Sequence, residues 1–202
     1  MIDKIQSIFK DRKGHIAGEY KKYAVIILLL EKEGKANILL EVRSLKLKTQ
    51  PGDICLPGGM VEKGETPKEA SIREAVEELN LNYNDIEFIG DMDYIVTPYG
   101  FIMYPFVARL KNKIFNYSKD EVDHIFTVPV EFLIKNKPML HKLTLVPHLK
   151  DDFPYELINN GENYKFRRGK VPEYFYVYED YVIWGFTALI LKNFIDEIVS
   201  TN

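Results

Sequence analysis

The sequence predicts a mixed α/β (α+β) fold in which helices pack on a central mixed sheet. Segments of strand length and segments of helical periodicity alternate along the chain, without the regular spacing of βαβ units. The 202 residues are 46% hydrophobic and 28% charged, an ordinary globular composition that excludes a disordered or fibrous chain. Since a domain holds roughly 150 residues, we expect a single domain over residues 1–202.

Short apolar runs define the first elements. Residues 2–9 place isoleucines and a phenylalanine on one face of a short amphipathic helix, so we expect a helical extension over residues 1–20. Residues 23–30 form a continuous apolar run typical of a buried strand, and a polar turn separates them from a second strand over 38–43. This pair predicts a β-hairpin, which is followed by a short strand over 53–56.

The next predicted element is a helix over residues 68–79. Thr66 is a favourable N-cap, and Pro67 suits the first helical position. The helix has two faces: Ile72, Ala75, Val76 and Leu79 share the apolar one, and Glu74, Glu77 and Glu78 share the acidic one.

The C-terminal half continues this mixture of elements around a turn at residues 98–100. We expect strands over 86–96, Phe101–Leu110, 139–146 and 173–178, a short helix over 129–135, and a closing amphipathic helix over Gly185–Ser200.

Charge and hydropathy limit the partners. The chain has 27 Lys and Arg against 30 Asp and Glu, a net charge of −3, and so lacks the basic character of a nucleic-acid-binding protein. Its longest apolar stretches, 23–30 and 181–191, are shorter than the roughly 20 residues of a membrane helix. The single cysteine, Cys55, cannot form an intrachain disulfide. We expect a cytoplasmic protein that acts on a small molecule, without a nucleic-acid or membrane partner, and leave a homodimer open.

The acidic face of the 68–79 helix is unfavourable for the helix alone. Glu74 and Glu78 are like charges four residues apart, and Glu77 and Glu78 lie in the last turn, where the helix dipole disfavours acids. A divalent cation would offset this repulsion, and three carboxylates suit a hard ion such as Mg²⁺ or Mn²⁺. The spacing alone is equally compatible with a solvated acidic surface, so the flanking residues must decide.

A longer pattern surrounds these acids: Gly59, five residues, Glu65, seven residues, Arg73-Glu74, and then Glu77-Glu78. It resembles the Nudix box, G-x5-E-x7-R-E-U-x-E-E-x-G-U, in which U is apolar. Six such identities arise by chance on the order of once in 10⁵ chains. Asn80 replaces the usual Gly, but Asn is the second-best residue for the left-handed backbone expected there.

The resemblance implies a Nudix-type α/β/α sandwich whose loop–helix–loop segment binds Mg²⁺ or Mn²⁺ and hydrolyses a diphosphate. Glu74 and Glu78 are the first choices as metal ligands, and Glu77 is a further ligand or the base that activates water. Arg73 would pair with Glu65 and orient these carboxylates, the alternative being an ordinary surface ion pair. The implied catalytic residues are Glu77, Arg73 and Glu65, and the implied metal ligands are Glu74, Glu78, Glu77 and the carbonyl of Gly59.

Residues 39–59 read LLEVRSLKLKTQPGDICLPGG. They are similar to a signature of coenzyme A diphosphatases within the Nudix family, L-L-T-x-R-S-x3-R-x3-G-x3-F-P-G-G. Glu41, Lys48 and Leu56 replace Thr, Arg and Phe, and Lys48 keeps the charge of Arg but not its planar fork. The implied substrate-binding residues are Arg43, Lys48, Gly58 and Gly59.

We therefore expect metal-dependent hydrolysis of coenzyme A or a derivative to adenosine 3′,5′-bisphosphate and 4′-phosphopantetheine. The alternatives are a Nudix diphosphatase acting on ADP-ribose or another nucleoside diphosphate derivative, and a non-catalytic nucleotide-binding module. Residues 142–172 have no counterpart in the resemblance and form either a wall of the substrate pocket or a solvated insertion. Glu121 is either an additional acid near the metal or a loop acid, and Cys55 is expected to be a small buried residue rather than a nucleophile.

Overall fold

The computed structural model describes residues 1–111 and 116–200 and confirms the predicted mixed α/β fold. The described residues form an eight-stranded mixed sheet, a three-stranded antiparallel sheet and four α-helices. The helices are α1 (Ile2–Phe9), α2 (Pro67–Leu79), α3 (Val130–Lys135) and α4 (Gly185–Ser200). The strands are β1 (Lys21–Lys32), β2 (Lys35–Arg43), β3 (Ile54–Cys55), β4 (Gly58–Met60), β5 (Ile86–Asp91), β6 (Ile95–Val96), β7 (Phe101–Leu110), β8 (Val122–Pro129), β9 (Met139–Leu145), β10 (Gly169–Tyr178) and β11 (Tyr181–Trp184).

Strand β1 is the centre of the large sheet. It pairs antiparallel with β2, which confirms the predicted hairpin, and parallel with β7. The path runs β3-β2-β1-β7-β5, while β4 pairs with β1, β8 with β2 and β6 with β7. Both faces of β1 are covered, which explains why its sequence is a continuous apolar run instead of an alternating one.

Alternate residues of β1 face two different layers. Ile26 and Leu28 belong to the core that includes Ala75 and Leu79 of α2. Ile27 belongs to the core on the opposite face, which is completed by α4 and the second sheet. The large sheet therefore lies between the acidic helix on one side and the closing helix on the other.

Several elements differ from the sequence predictions. The expected strand over 86–96 is divided into β5 and β6, and an irregularity in its pairing with β7 lies between Phe88 and Gly90. Strand β8 was not predicted, because its mixture of polar and apolar residues does not alternate cleanly. Strand β4 was not predicted either, because two of its three residues are glycines, which have no side chain and so show no hydrophobic alternation.

The structure also shows the N-terminal extension, residues 1–20, and the 142–172 segment. Helix α1 ends at Phe9, so only the first half of the 1–20 extension is helical, and the helix buries none of its residues. The 142–172 segment begins in β9 and ends in β10, which pair antiparallel, and two short 3₁₀ turns lie between these strands. Within the described residues, no helix is both long and apolar enough to cross a membrane.

Candidate functional site

Helix α2 is held by caps at both ends, as the sequence predicts. The backbone N–H of Glu69 donates to the Thr66 hydroxyl at 3.2 Å, and the Glu69 carboxylate accepts from the Thr66 backbone at 2.7 Å. Asn80 ends the helix with φ +48° and ψ +48°, the left-handed geometry for which it is well suited. These caps fix where the acidic residues of the helix lie relative to the sheet.

Two glycines of β4 allow the strand to approach α2 closely. A Cβ atom on Gly59 would lie 2.4 Å from the carboxylate carbon of Glu74. A Cβ atom on Gly58 would lie 2.2 Å from the carbonyl oxygen of Ala24, and its φ of +147° also disfavours any other residue. Only glycine fits at position 58, whereas a Cβ atom at position 59 would force the Glu74 carboxylate to move, so both glycines are needed for the observed placement of this site.

Glu78, which is buried, and Glu74, whose side chain is 21% exposed, form an acid pair beside these glycines. The Gly58 N–H donates to Oε2 of Glu78 at 2.9 Å, and Glu78 is only 7% exposed. Burial is the main cause that raises the pKa of Glu78 to about 8, and the charges of Glu74 and Glu121 add to it. Burial likewise raises the pKa of Glu74. An acid pair in this state is stabilised by any cation that binds between its members.

Arg73 contacts three carboxylates of the segment, those of Glu65, Glu74 and Glu77. Its Nε and Nη2 donate to the two carboxylate oxygens of Glu65 at 3.2 and 3.0 Å, a bidentate pair. The same guanidinium lies 2.9 Å from Glu74 and donates to Glu77 at 3.0 Å. The pKa of Glu65 is lowered, mainly by the Arg73 hydrogen bond. The predicted Arg73–Glu65 contact is therefore present, and it anchors the loop before α2 to the acidic face of the helix.

The three helix acids do not lie equally deep. Glu74 and Glu78 point towards β4, whereas the Glu77 side chain is 55% exposed and pairs with Arg73. As placed, no three Asp, Glu, His or Cys side chains in residues 1–111 and 116–200 group closely enough to hold a metal ion. The predicted ligand set therefore stays a prediction. The donors nevertheless suit Mg²⁺ or Mn²⁺, because Glu74 and Glu78 are hard oxygen ligands whose mutual repulsion a cation would relieve.

Sequence reasoning missed a fourth acid, Glu41. It lies on β2 opposite Cys55, is 1% exposed, and its Oε1 has no hydrogen-bond partner among the described residues. Burial holds its pKa well above the usual range, and the charges of Glu78 and Glu121 raise it further. The available signal was a charged residue inside the apolar 38–43 strand, which the sequence analysis treated only as a replacement for Thr. Glu121, left open there, lies close enough for its charge to act on this acid group.

The two predicted phosphate-binding cations have different surroundings. The positive charge of Arg43 lowers the pKa of Glu41 and of Glu78, so it acts on two acids of this site. Its Nε is buried and has no partner in the described part of the chain, while Nη2 donates to the Thr49 carbonyl at 3.4 Å. Lys48 is exposed and makes no hydrogen bond or ion pair with described residues. Arg43 thus joins the site directly, whereas the Lys48 assignment stays a prediction.

Cys55 lies beside the same group of charges but is not activated by them. Burial raises the pKa of its thiol above the ordinary value, and the charges of Glu41 and Glu78 raise it further. A thiol with a raised pKa is not ionised at neutral pH and is a poor nucleophile. The prediction of a residue that packs and does not react is supported by these surroundings.

Fold and site together define a class of protein: a mixed-sheet α/β domain that presents a glycine-lined, acidic loop–helix–loop segment. Segments of this kind bind divalent cations and phosphate groups, because carboxylates supply the ligands for the ion and glycines let the phosphates approach.

The chain belongs to the Nudix family, since the NUDIX domain matches residues 20–148. It is 36% identical over 121 residues to Nudix hydrolase 3 of Caenorhabditis elegans, covering 55% of this chain and 49% of that protein. It is 33% identical over 132 residues to peroxisomal coenzyme A diphosphatase NUDT7 of Mus musculus, covering 61% and 52%. The chain thus spans about half the length of these curated relatives.

The fold is also that of a solved structure. A MutT/nudix family protein from Enterococcus faecalis matches 99% of this chain and 70% of its own, with a TM-score of 0.52 and 15% sequence identity. This likeness confirms the Nudix fold expected from the sequence. One of these relatives is named a hydrolase and the other a diphosphatase, which agrees with the enzyme class that the sequence predicts.

Proposed function

We propose that this protein hydrolyses the diphosphate bond of coenzyme A or a coenzyme A derivative, releasing adenosine 3′,5′-bisphosphate and 4′-phosphopantetheine. The observation that carries the proposal is the position of the 39–59 segment. Within it, the Gly58 N–H donates to Glu78, Gly59 lies against Glu74, and the charge of Arg43 on β2 lowers the pKa of Glu78. The residues that resemble the coenzyme A signature are therefore next to those that resemble the catalytic box.

The proposed cofactor is Mg²⁺ or Mn²⁺, held by Glu74 and Glu78 with the Gly59 carbonyl and either Glu77 or Glu121. When bound, the ion supplies positive charge at the diphosphate and makes water a better nucleophile. The protein's own contribution is placement. The Gly58 N–H fixes Glu78, and Arg73 ties Glu74 and Glu77 to the Glu65 loop.

Arg43 is the proposed contact for the substrate's phosphates. Its Nε is a buried donor without a partner in the described chain, and an unpaired buried donor is costly. A phosphate oxygen would satisfy it, and guanidinium groups bind phosphate strongly. Lys48 is proposed to add a second, more mobile positive charge that recognises the 3′-phosphate.

Product analysis tests the proposal. The protein is incubated with Mg²⁺ in ¹⁸O-labelled water with coenzyme A, dephospho-coenzyme A or ADP-ribose in parallel, and the products are identified by mass spectrometry. We expect adenosine 3′,5′-bisphosphate and 4′-phosphopantetheine, one of them carrying ¹⁸O, and slower turnover without the 3′-phosphate. Faster hydrolysis of ADP-ribose would replace the substrate assignment, and binding without turnover of all three would indicate a non-catalytic nucleotide-binding module.

A cytoplasmic location also remains a proposal, as does a homodimer. The small-molecule partner of this chain is proposed to be the substrate itself. The location and the homodimer do not change the chemistry proposed for the site.

A further inference from the structure

Glu41 is a buried acid of β2 that the proposed function does not use. The residue is 1% exposed, and its Oε1 has no hydrogen-bond partner in residues 1–111 and 116–200. Glutamate is almost never fully buried without a partner, because an unpaired carboxyl group in the interior is costly. The other buried acid of the described chain, Glu78, does have a partner, since it accepts the Gly58 N–H at 2.9 Å. Glu41 therefore needs a partner that the described residues do not supply.

The strand register directs the Glu41 side chain towards α2. Leu39, two residues earlier on β2, belongs to the core that includes Ala75 and Leu79 of this helix. Since side chains two residues apart on a strand point to the same face, Glu41 faces the helix as well. Ile125, which lies opposite Glu41 on β8, packs against the same core and confirms this orientation.

Glu78 is the acid of α2 on the facing side. It stands three positions after Ala75, one turn along the helix, and both residues are buried. After burial, the charge of Glu78 is the largest cause that raises the pKa of Glu41. One buried acid from the sheet and one from the helix thus act on each other in the interior, where a cation is the ligand that would stabilise both.

Arg43 does not supply the missing partner. Its charge lowers the pKa of Glu41, but its Nε is itself buried without a partner among the described residues, and its Nη2 donates to the Thr49 carbonyl. The pairing of β2 with β8 is irregular between Val42 and Arg43, and such irregularities re-aim the next side chain. An acid and a base two positions apart therefore both stay available, the acid for a cation and the base for a phosphate.

We propose that Glu41 is a further ligand of the divalent cation, supplied by the sheet, so that β2 and the acid pair of α2 bind the ion together. The inference rests on the proposed function and names a residue that neither resemblance assigns. The Nudix box begins at Gly59, and the coenzyme A signature has Thr at position 41.

The chemistry of the Glu41 carboxylate suits this role. It is a hard oxygen ligand, as Mg²⁺ and Mn²⁺ prefer, and the affinity of a site for such ions depends on the number of charged ligands. As placed, the described acids do not group closely enough to form a three-residue metal site. The ion would draw the carboxylates together, because it replaces their mutual repulsion with attraction to a shared positive charge.

The test measures Mn²⁺ binding directly and without substrate. The metal-free protein is titrated with Mn²⁺, and the free ion is followed by electron paramagnetic resonance. Glu41→Gln removes the charge at nearly the same shape, and Glu41→Thr, which introduces the residue of the coenzyme A signature, replaces it if that variant does not fold. Glu87→Gln is the matched control, since it removes an exposed acid of β5 and changes the net charge by the same amount. Urea unfolding in EDTA is the second measurement.

We expect the dissociation constant for Mn²⁺ to rise at least about tenfold in the Glu41 variants and to stay unchanged in Glu87→Gln. In EDTA, Glu41→Gln should be at least as stable as the unmodified protein, because a neutral amide is less costly to bury than an unpaired carboxylate.

Two results would contradict this assignment. An unchanged dissociation constant in a folded Glu41 variant would overturn the ligand, and a loss of stability in EDTA with that unchanged constant would give Glu41 a structural role instead. Hydrolysis of coenzyme A by the unmodified protein would leave the proposed function intact in both cases. Weaker Mn²⁺ binding in the Glu41 variants, with no hydrolysis of coenzyme A by the unmodified protein, would support the ligand and overturn the substrate assignment.

Discussion

Replacement of Glu78 by glutamine tests two effects of the Glu78 charge: its contribution to activity and its cost in stability. Glu78 is buried, accepts the Gly58 N–H at 2.9 Å and lies beside Glu74. Glutamine has nearly the same shape, and its amide oxygen can accept the same hydrogen bond. The substitution therefore removes the negative charge and leaves the local geometry in place. We expect it to lower the activity and to raise the stability of the metal-free protein.

The magnitude follows from the raised pKa. Between pH 4.5, the ordinary value, and about pH 8, the folded protein binds more protons at Glu78 than the unfolded chain does. The stability of the metal-free protein therefore falls as pH rises through this window. At pH 7 the penalty is about 3 kcal/mol, so we expect Glu78→Gln to raise the unfolding free energy by up to that amount. Because the proposed role of the Glu78 carboxylate is to hold the cation at the diphosphate, we expect kcat to fall by at least about 10²-fold.

The assay is urea unfolding in EDTA at pH 5 and pH 7, together with turnover of coenzyme A in Mg²⁺. Glu87→Gln is the matched control, because Glu87 is an exposed residue of β5 and its loss should change neither quantity. We expect Glu78→Gln to be more stable than the unmodified protein at pH 7 and to show a smaller gain at pH 5. Normal turnover in this variant, or a lower stability at both pH values, would refute the reasoning.

Three further substitutions test individual contacts. Gly59→Ala should lower kcat by at least about tenfold, since its Cβ would meet the Glu74 carboxylate at 2.4 Å; Gly90→Ala, with no atom within 4 Å of its Cβ, should leave turnover unchanged. Arg73→Lys keeps the charge but loses the fork that joins Glu65 to the helix acids, so kcat should fall while circular dichroism shows an unaltered fold. Thr66→Ala removes the N-cap of α2 and should lower the unfolding free energy by about 1 kcal/mol, measured in urea.

Helix α2 could be predicted from the sequence because its signals are local. The Thr66 cap, Pro67 and the left-handed Asn80 act within one or two turns of α2, and all three appear in the structure as expected. The Arg73–Glu65 contact, which the resemblance to the Nudix box implied, is also present. Where a residue's structural role depends on its neighbours in the sequence, the local sequence pattern is sufficient to predict that role.

Other features depend on contacts between distant segments and left little sign in the sequence. Strand β4 exists because Gly58 and Gly59 fit between β1 and α2, a steric condition that only the assembled fold imposes. Strand β8 pairs with β2 and buries Val122 and Val128, but the residues between them are only partly covered or exposed, so its sequence shows no regular alternation. A cavity beside α4 likewise brings together residues from 95 to 189, which no single stretch of sequence could relate.

Several residues of the acid site are unfavourable for the stability of the helix or strand in which they lie. Glu78 lies in the last turn of a helix that has no basic residue there, Glu41 is a charged residue in a buried strand, and two of the three residues of β4 are glycines. Each feature is unfavourable in its own element, and the elements are far apart in sequence. They nevertheless meet at one point beside Arg43. The proposed cation and diphosphate would compensate these costs together, because the cation would relieve the acids and the diphosphate would lie against the glycines and pair with the buried Nε of Arg43.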